Sequence, residues 1–180
     1  MPESVKVAIV GAGIIGCSLA YYLARRGFTD VVVFDRAPAP CTGATPYSAG
    51  GIRCQFSTEP NIQLTKLSIE EYERYAQEVH PSFVFNQCGY CLLYVTPEEW
   101  AAAQANVALQ RSLGLDIQLW TPQQVADYIP GVEISDLAGA TFHHRDGLSD
   151  PYEITMGYYT RAKELGIPFH LEEEVLAIHV

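Results

Sequence analysis

The residues best placed to do chemistry lie near the start of the chain. Gly11-Ala12-Gly13-Ile14-Ile15-Gly16 is a GxGxxG run. Glycines at this spacing let the backbone turn tightly while its N–H groups stay unshielded. The pattern alone also occurs in unrelated loops, but here its context is complete. It follows the β-branched run VKVAIV (5–10), opens an apolar-periodic segment ending at Gly27, and precedes VVVFD (31–35), which ends in an acid. Gly11 permits the turn, Gly13 lets a pyrophosphate approach the main chain, and Gly16 allows close packing of helix on strand. The N–H groups and dipole of the helix N-terminus stabilise the anion. Asp35 is placed to accept hydrogen bonds from an adenosine ribose, which argues against the 2′-phosphate of NADP; Arg36 beside it softens that argument. The run predicts a dinucleotide site, with NAD and FAD both open.

These residues need particular elements to position them. A strand, glycine turn, helix and strand within about 30 residues make a βαβ unit, so both strands are expected parallel and buried on both faces. Residues 37–60, with Pro38, Pro40, Pro46 and Pro60, read as a long functional loop. A helix is expected over 61–80. Short strands follow at FVFN (83–86) and CLLYV (91–95), then a helix from Pro97, a strand at IQLW (117–120), a capped helix from Thr121 and a strand at GATFH (139–143). Asp150 opens a helix to about Leu165, and two strand-like runs separated by a solvated acidic turn (172–174) close the chain. The fold class is α/β: a Rossmann-type domain with a parallel sheet, over 1–82 and 147–180, carrying an α+β insertion at 83–146.

Composition excludes some functions. With 11 Lys+Arg against 21 Asp+Glu the formal net charge is −10. The basic residues are scattered, whereas nucleic-acid binding relies on clustered cations. No apolar run approaches the roughly 20 residues of a membrane span. The N-terminus lacks the basic n-region and small-residue cleavage site of a signal peptide, so an intracellular, cytoplasmic chain is expected. Five cysteines, an odd number in a chain this long, favour free thiols. Cys88-Gly-Tyr-Cys91 has redox or half-zinc spacing, but it runs into a strand rather than opening a helix. It reads as a turn, and no metal site is expected. His143 and His144 read as surface or packing residues.

Three segments carry a resemblance. VAIVGAGIIGCSLAYYLARRGFTDVVVFDR, SAGGIRCQFSTEPNIQLTKLSIEEYE and DGLSDPYEITMGYYTRAKELGIPF together resemble the FAD-dependent amine and amino-acid oxidoreductases. This is the broad family of D-amino-acid oxidase, glycine oxidase, sarcosine oxidase and dimethylglycine dehydrogenase, and the texture is most similar to the sarcosine oxidase β-subunit type. The resemblance implies FAD bound extended, its adenine end at residues 11–16, Asp35 and Arg36. It places Ala44, Thr45, Ser48, Gly50, Gly51 and Ile52 along the flavin ring and Val175 by the adenine end. Arg53 falls where related enzymes hold the substrate carboxylate. Several sarcosine oxidases carry an arginine or polar pair where Gly50 stands here.

The implied reaction removes hydride from the carbon beside an amine, leaving an imine that water hydrolyses; the implied substrate is a secondary amine or amino acid, such as an N-methyl amino acid. Family members run to roughly twice this length, so the expectation is a truncated chain lacking most of the substrate-domain sheet. The missing C-terminal half or a partner subunit would complete it. A non-catalytic dinucleotide-binding module, or a fragment of an NAD-binding dehydrogenase, is the alternative.

Overall fold

The computed structural model describes residues 4–179. Its Cα packing divides them into two units. The first comprises residues up to 50 with 75–84 and from 149 onward; the second comprises 51–74 and 85–148.

The first unit is built on a parallel sheet of β1 (Val7–Val10), β2 (Val31–Asp35) and β8 (Phe169–Leu171), in the order β1-β2-β8. The register pairs Val7 with Val31 and Val33 with Phe169. β2 is central, and Val31, Val32 and Val33 are buried as expected. β1 corrects the expectation. Among the described residues it is an edge strand with only β2 beside it, so Ala8 and Val10 are exposed and Ile9 alone is buried. Helices α1 (Ile14–Arg25) and α5 (Pro151–Glu164) pack through Tyr21, Tyr22 and Tyr158, whose ring centroids lie 5.0–5.8 Å apart. Tyr75, fully buried, meets Tyr158 edge-on and donates its hydroxyl to the Ile154 carbonyl. Gly157 makes room for it, since a Cβ there would stand 2.5 Å from the Tyr75 hydroxyl.

Between β2 and the second unit runs the Pro- and Gly-rich loop, with one 3-10 turn at Thr45–Tyr47. Helix α2 (Glu59–Glu78) begins two residues before the expected start and ends two before the expected end. It crosses the division between units at Arg74. Residues 51–74 therefore group with the second unit, where Ile62 and Ile69 share a core with Cys54, Val107, Leu115 and Ile117.

The second unit holds an antiparallel sheet, β4 (Tyr90–Tyr94), β6 (Gly139–His143) and β5 (Gln118–Trp120), in the order β4-β6-β5. A two-residue ladder joins β3 (Gly51–Ile52) to β7 (Gly147–Leu148). Helices α3 (Pro97–Ser112) and α4 (Pro122–Tyr128) both start on capping boxes, Thr96 with Glu99 and Thr121 with Gln124, each with Pro at the first turn. Reciprocal bonds of this kind satisfy two of the helix's orphan donors. The strand expected at 83–86 is not formed; Asn86 alone makes a bridge, exchanging both backbone bonds with Leu148. Of the two closing runs only β8 is a strand. Glu172 turns the chain with φ +60°, and among the described residues no sheet edge receives the segment after it. No helix among the described residues is long and apolar enough to cross a membrane.

The five cysteines are free. Burial pushes the Cys17 thiol up to about 12, with Cys41 and Asp35 adding to the shift, and pushes Cys54 up to about 11, with Asp146 adding to it. Because the thiolate is the nucleophile, alkylation of the native protein at about pH 8 is expected to label exposed Cys88 at least ~10-fold faster than Cys17 or Cys54. Site-resolved mass spectrometry checks this, and equal rates would mean that these cores open readily.

Candidate functional site

A cleft of about 550 Å³ lies in the first unit, at the C-terminal ends of β1 and β2. Gly11, Gly13, Asp35, Arg36, Ala44, Thr45 and Val175 all line it. Such crevices at the carboxyl ends of parallel strands are where α/β sheets take ligands. The turn is built by short-range geometry. Gly11 has φ +106°, a conformation that side-chain-bearing residues rarely adopt, and its N–H donates to the Phe34 carbonyl at 2.7 Å. A Cβ on Gly16 would run into the Gly11 carbonyl oxygen and press on Ile9. Gly16 thus sets α1 against the end of β1, as its position predicts.

Hydrogen bonds then lock the turn to its surroundings. The Ala12 N–H donates to Asp35 Oδ2 at 2.6 Å, and the Ala37 N–H to Asp35 Oδ1 at 2.9 Å. Asp35 is therefore both the strand-end acid expected to meet a ribose and an anchor for the turn; a carboxylate oxygen carrying one donor keeps a further lone-pair direction. Gly13 caps α1 without a side chain. Thr45 approaches instead: its Oγ1 accepts the Ile14 N–H at 3.3 Å. The Thr45 hydroxyl proton remains available for an anion at the helix N-terminus.

Five lining residues were not anticipated: Val10, Ala37, Thr42, Gly43 and Glu174. Glu174 lies in the acidic run read as a solvated turn. It reaches the cleft because the Glu172 and Glu173 N–H groups bond the Ala37 and Asp35 carbonyls, both at 3.0 Å. Its carboxylate stands 3.7 Å from Arg36. Both side chains are exposed, so the pair contributes little stability, yet it occupies the only basic side chain lining the cleft among the described residues. Asp35 and Glu174 beside a paired Arg36 make poor company for a 2′-phosphate. A bare ribose and a pyrophosphate at the α1 N-terminus match the donors on offer, so the residues fit the adenosine end of a dinucleotide.

Other predicted residues lie outside this cleft. Ala12 and Gly16 are buried, Ile14 is half-buried and Ile15 is exposed on α1. Ser48 accepts the Gly50 N–H at 3.4 Å. Gly50 and Gly51 have reasons of their own to be glycine. Gly50 has φ +69°, and a Cβ would meet the Ser149 carbonyl; a Cβ on Gly51 would stand 3.2 Å from the Tyr90 hydroxyl. Ile52 packs at the edge of the second unit's core.

Arg53, in the second unit, is exposed and lies over the rings of Phe56 and Tyr90 at 5.4 and 5.7 Å. Among the described residues no carboxylate pairs with it. Behind it is a buried polar group: His143 Nδ1 lies 2.6 Å from Asp146 Oδ1, which also accepts the Cys54 N–H at 3.0 Å. Cys54, His143 and Asp146 bring donor atoms within 4.8 Å of one another. Asp146 Oδ1 is filled by these N–H donors, so the trio is tied together by hydrogen bonds. His143 is a packing residue and His144 is exposed, 3.9 Å from Asp116.

Comparison with known proteins places this geometry. The family model described as FAD dependent oxidoreductase (DAO) matches residues 6–180. The chain belongs to that family. It is 34% identical over 178 residues to FAD-dependent oxidoreductase domain-containing protein 1 of Xenopus laevis, covering 92% of this chain and 35% of that protein. Sarcosine oxidase subunit beta of Arthrobacter sp is 27% identical, with 92% of this chain and 42% of that protein covered. Among solved structures, L-proline dehydrogenase from P. horikoshii superposes with a TM-score of 0.90 at 32% identity, over 97% of this chain and 46% of that one. The chain thus spans less than half the length of these relatives. Within the family, the homologues include FAD-dependent amino-acid and amine oxidases and dehydrogenases.

The close approach at Gly16 generates a test. Gly16→Ala is expected to destabilise the protein by about 2 kcal/mol or more through overpacking, lowering the thermal midpoint by roughly 4–8 °C. Gly43→Ala, where a Cβ meets no described atom within 4 Å, is expected to change it by less than about 0.5 kcal/mol. Thermal unfolding of the two variants makes the comparison; similar midpoints would contradict the close packing.

Proposed function

We propose that the protein binds FAD at the cleft of the first unit and oxidises the C–N bond of a secondary amine that carries a carboxylate, such as an N-methyl amino acid. One observation carries the substrate class: Arg53 is an exposed guanidinium, seated on two aromatic rings and unpaired among the described residues. A guanidinium matches a carboxylate with two parallel hydrogen bonds and keeps its charge at any working pH. The names of two relatives support the same class, since sarcosine and L-proline are both secondary amines bearing a carboxylate.

Residues of this chain have definite tasks in such a reaction. Gly13 lets the pyrophosphate approach the main-chain N–H groups at the start of α1, with the Thr45 hydroxyl as a further donor, while the Gly11 N–H stays on the Phe34 carbonyl. Asp35 accepts from the ribose. Arg53 holds the carboxylate and so orients the carbon beside the nitrogen. Bound FAD supplies the acceptor for the hydride and its electron pair. The carbon–hydrogen bond breaks, the nitrogen lone pair forms the C=N bond, and water hydrolyses the resulting imine to an amine and a carbonyl compound.

The test uses the natural full-length protein loaded with FAD. N-methylglycine and L-proline are each expected to bleach the flavin absorbance without oxygen. Arg53→Ala is expected to raise the KM for the active substrate about 10–100-fold, the worth of one or two charge-assisted hydrogen bonds, while FAD affinity changes less than about 2-fold. Equal loss of substrate and FAD binding would make Arg53 a structural residue, and failure of both compounds would remove the substrate class.

A further inference from the structure

We infer that Asp146 and Gln55 are positioning residues for Arg53, fixing the strap 53–56 and the aromatic bed on which its guanidinium lies. The inference rests on the reading of Arg53 as the carboxylate anchor. Arg53 reaches out from a short strap whose Cys54 N–H and Phe56 carbonyl are held by buried side chains. Asp146 is fully buried, and Gln55 and Gln110 are 9% and 4% exposed. Asp146 Oδ1 accepts the N–H of Cys54, the residue next to Arg53, at 3.0 Å. Asp146 Oδ2 accepts Gln55 Nε2 at 3.3 Å, and the same amide donates to the Tyr90 carbonyl at 2.8 Å. Gln55 Oε1 in turn accepts the Thr141 hydroxyl at 2.6 Å. Gln110 Nε2 donates to the Phe56 carbonyl at 2.8 Å.

The two rings beneath Arg53 are therefore each tied at their backbone, Tyr90 by Gln55 and Phe56 by Gln110, while Asp146 holds the peptide that leaves Arg53. His143 completes the arrangement by donating Nδ1–H to Asp146. Buried hydrogen bonds of this kind rigidify the groups they join, although Gln110 Oε1 finds no partner among the described residues. A loop arginine on a flexible stem gains most from such bracing. Bidentate recognition needs the guanidinium plane held in one orientation, and side-chain ordering otherwise opposes binding.

The test is a double-mutant cycle in the natural full-length, FAD-loaded protein. The probe is acetate, a carboxylate with no amine to oxidise, and its binding is read from the perturbed flavin spectrum. FAD content and thermal midpoint are measured alongside. Asp146→Asn is expected to weaken acetate about 10-fold with FAD content unchanged. In an Arg53→Ala background the same change is expected to have no effect on the residual affinity, because its influence passes through Arg53. Gln55→Met, which keeps the side-chain length but severs the links to Tyr90 and Asp146, gives a second cycle should Asp146→Asn fail to fold. An equal acetate loss in both backgrounds would overturn the positioning role while leaving Arg53 as anchor. No effect of Arg53→Ala alone on acetate would overturn the anchor, and the inference with it.

Discussion

The hydrogen bond from the Ala12 N–H to Asp35 Oδ2, at 2.6 Å, joins the two strand ends on which the first unit's cleft depends. It ties the glycine turn after β1 to the end of β2, and the second oxygen of the same carboxylate takes the Ala37 N–H and so directs the loop that follows. Hydrogen bonds to a charged acceptor are stronger than neutral ones. With Asp35 thus held and Gly16 pressed against the Gly11 carbonyl, the N-terminus of α1 can point in only one direction. The donors left over are the turn's unshielded N–H groups and the Thr45 hydroxyl. An anion is the ligand that set of donors favours.

The second unit solves a different positioning problem by different means. Its exposed cation cannot be placed by backbone geometry, since an arginine stem has many rotamers. The rings of Tyr90 and Phe56 give it a surface, and buried amides hold the backbone carbonyls of those two residues. Backbone N–H groups suit a pyrophosphate, whose charge is diffuse and whose oxygens are many. A side-chain guanidinium suits a carboxylate, whose two oxygens lie in one plane. On the proposed reading, the first unit's donors serve an extended dinucleotide and Arg53 of the second unit serves a small acid.

Much of this was readable in the sequence because it is local. The turn from Gly11 to Gly16, the strand-end acid, the helix start at Pro97, the Thr121 cap and the Asp150 helix start are all written within a few residues, and each depends on short-range sterics or local hydrogen bonds. What is not legible there is long-range. Glu174 reaches the cleft only because β8 pairs with β2 and the chain then bonds back to Asp35 and Ala37. Asp146 and Gln55 are 91 positions apart in the chain, and no spacing rule links them. The exposed face of β1 was misread for a related reason: an apolar run records what a strand is suited to cover, whereas edge or centre is decided by the partners it finds. Phe83 to Phe85 likewise had strand propensity without an edge to pair with, and only Asn86 found one.

The claim on which the rest stands is that the glycine-turn cleft takes FAD, and it is tested most directly by competitive binding. The apo form of the natural full-length protein is titrated with FAD, with and without excess NAD, following flavin fluorescence, and parallel runs use Asp35→Ala. The account predicts saturable binding of one FAD per chain, unaffected by NAD and weakened by Asp35→Ala. Displacement of FAD by NAD, or saturable NAD binding by a protein that takes up no FAD, would contradict it.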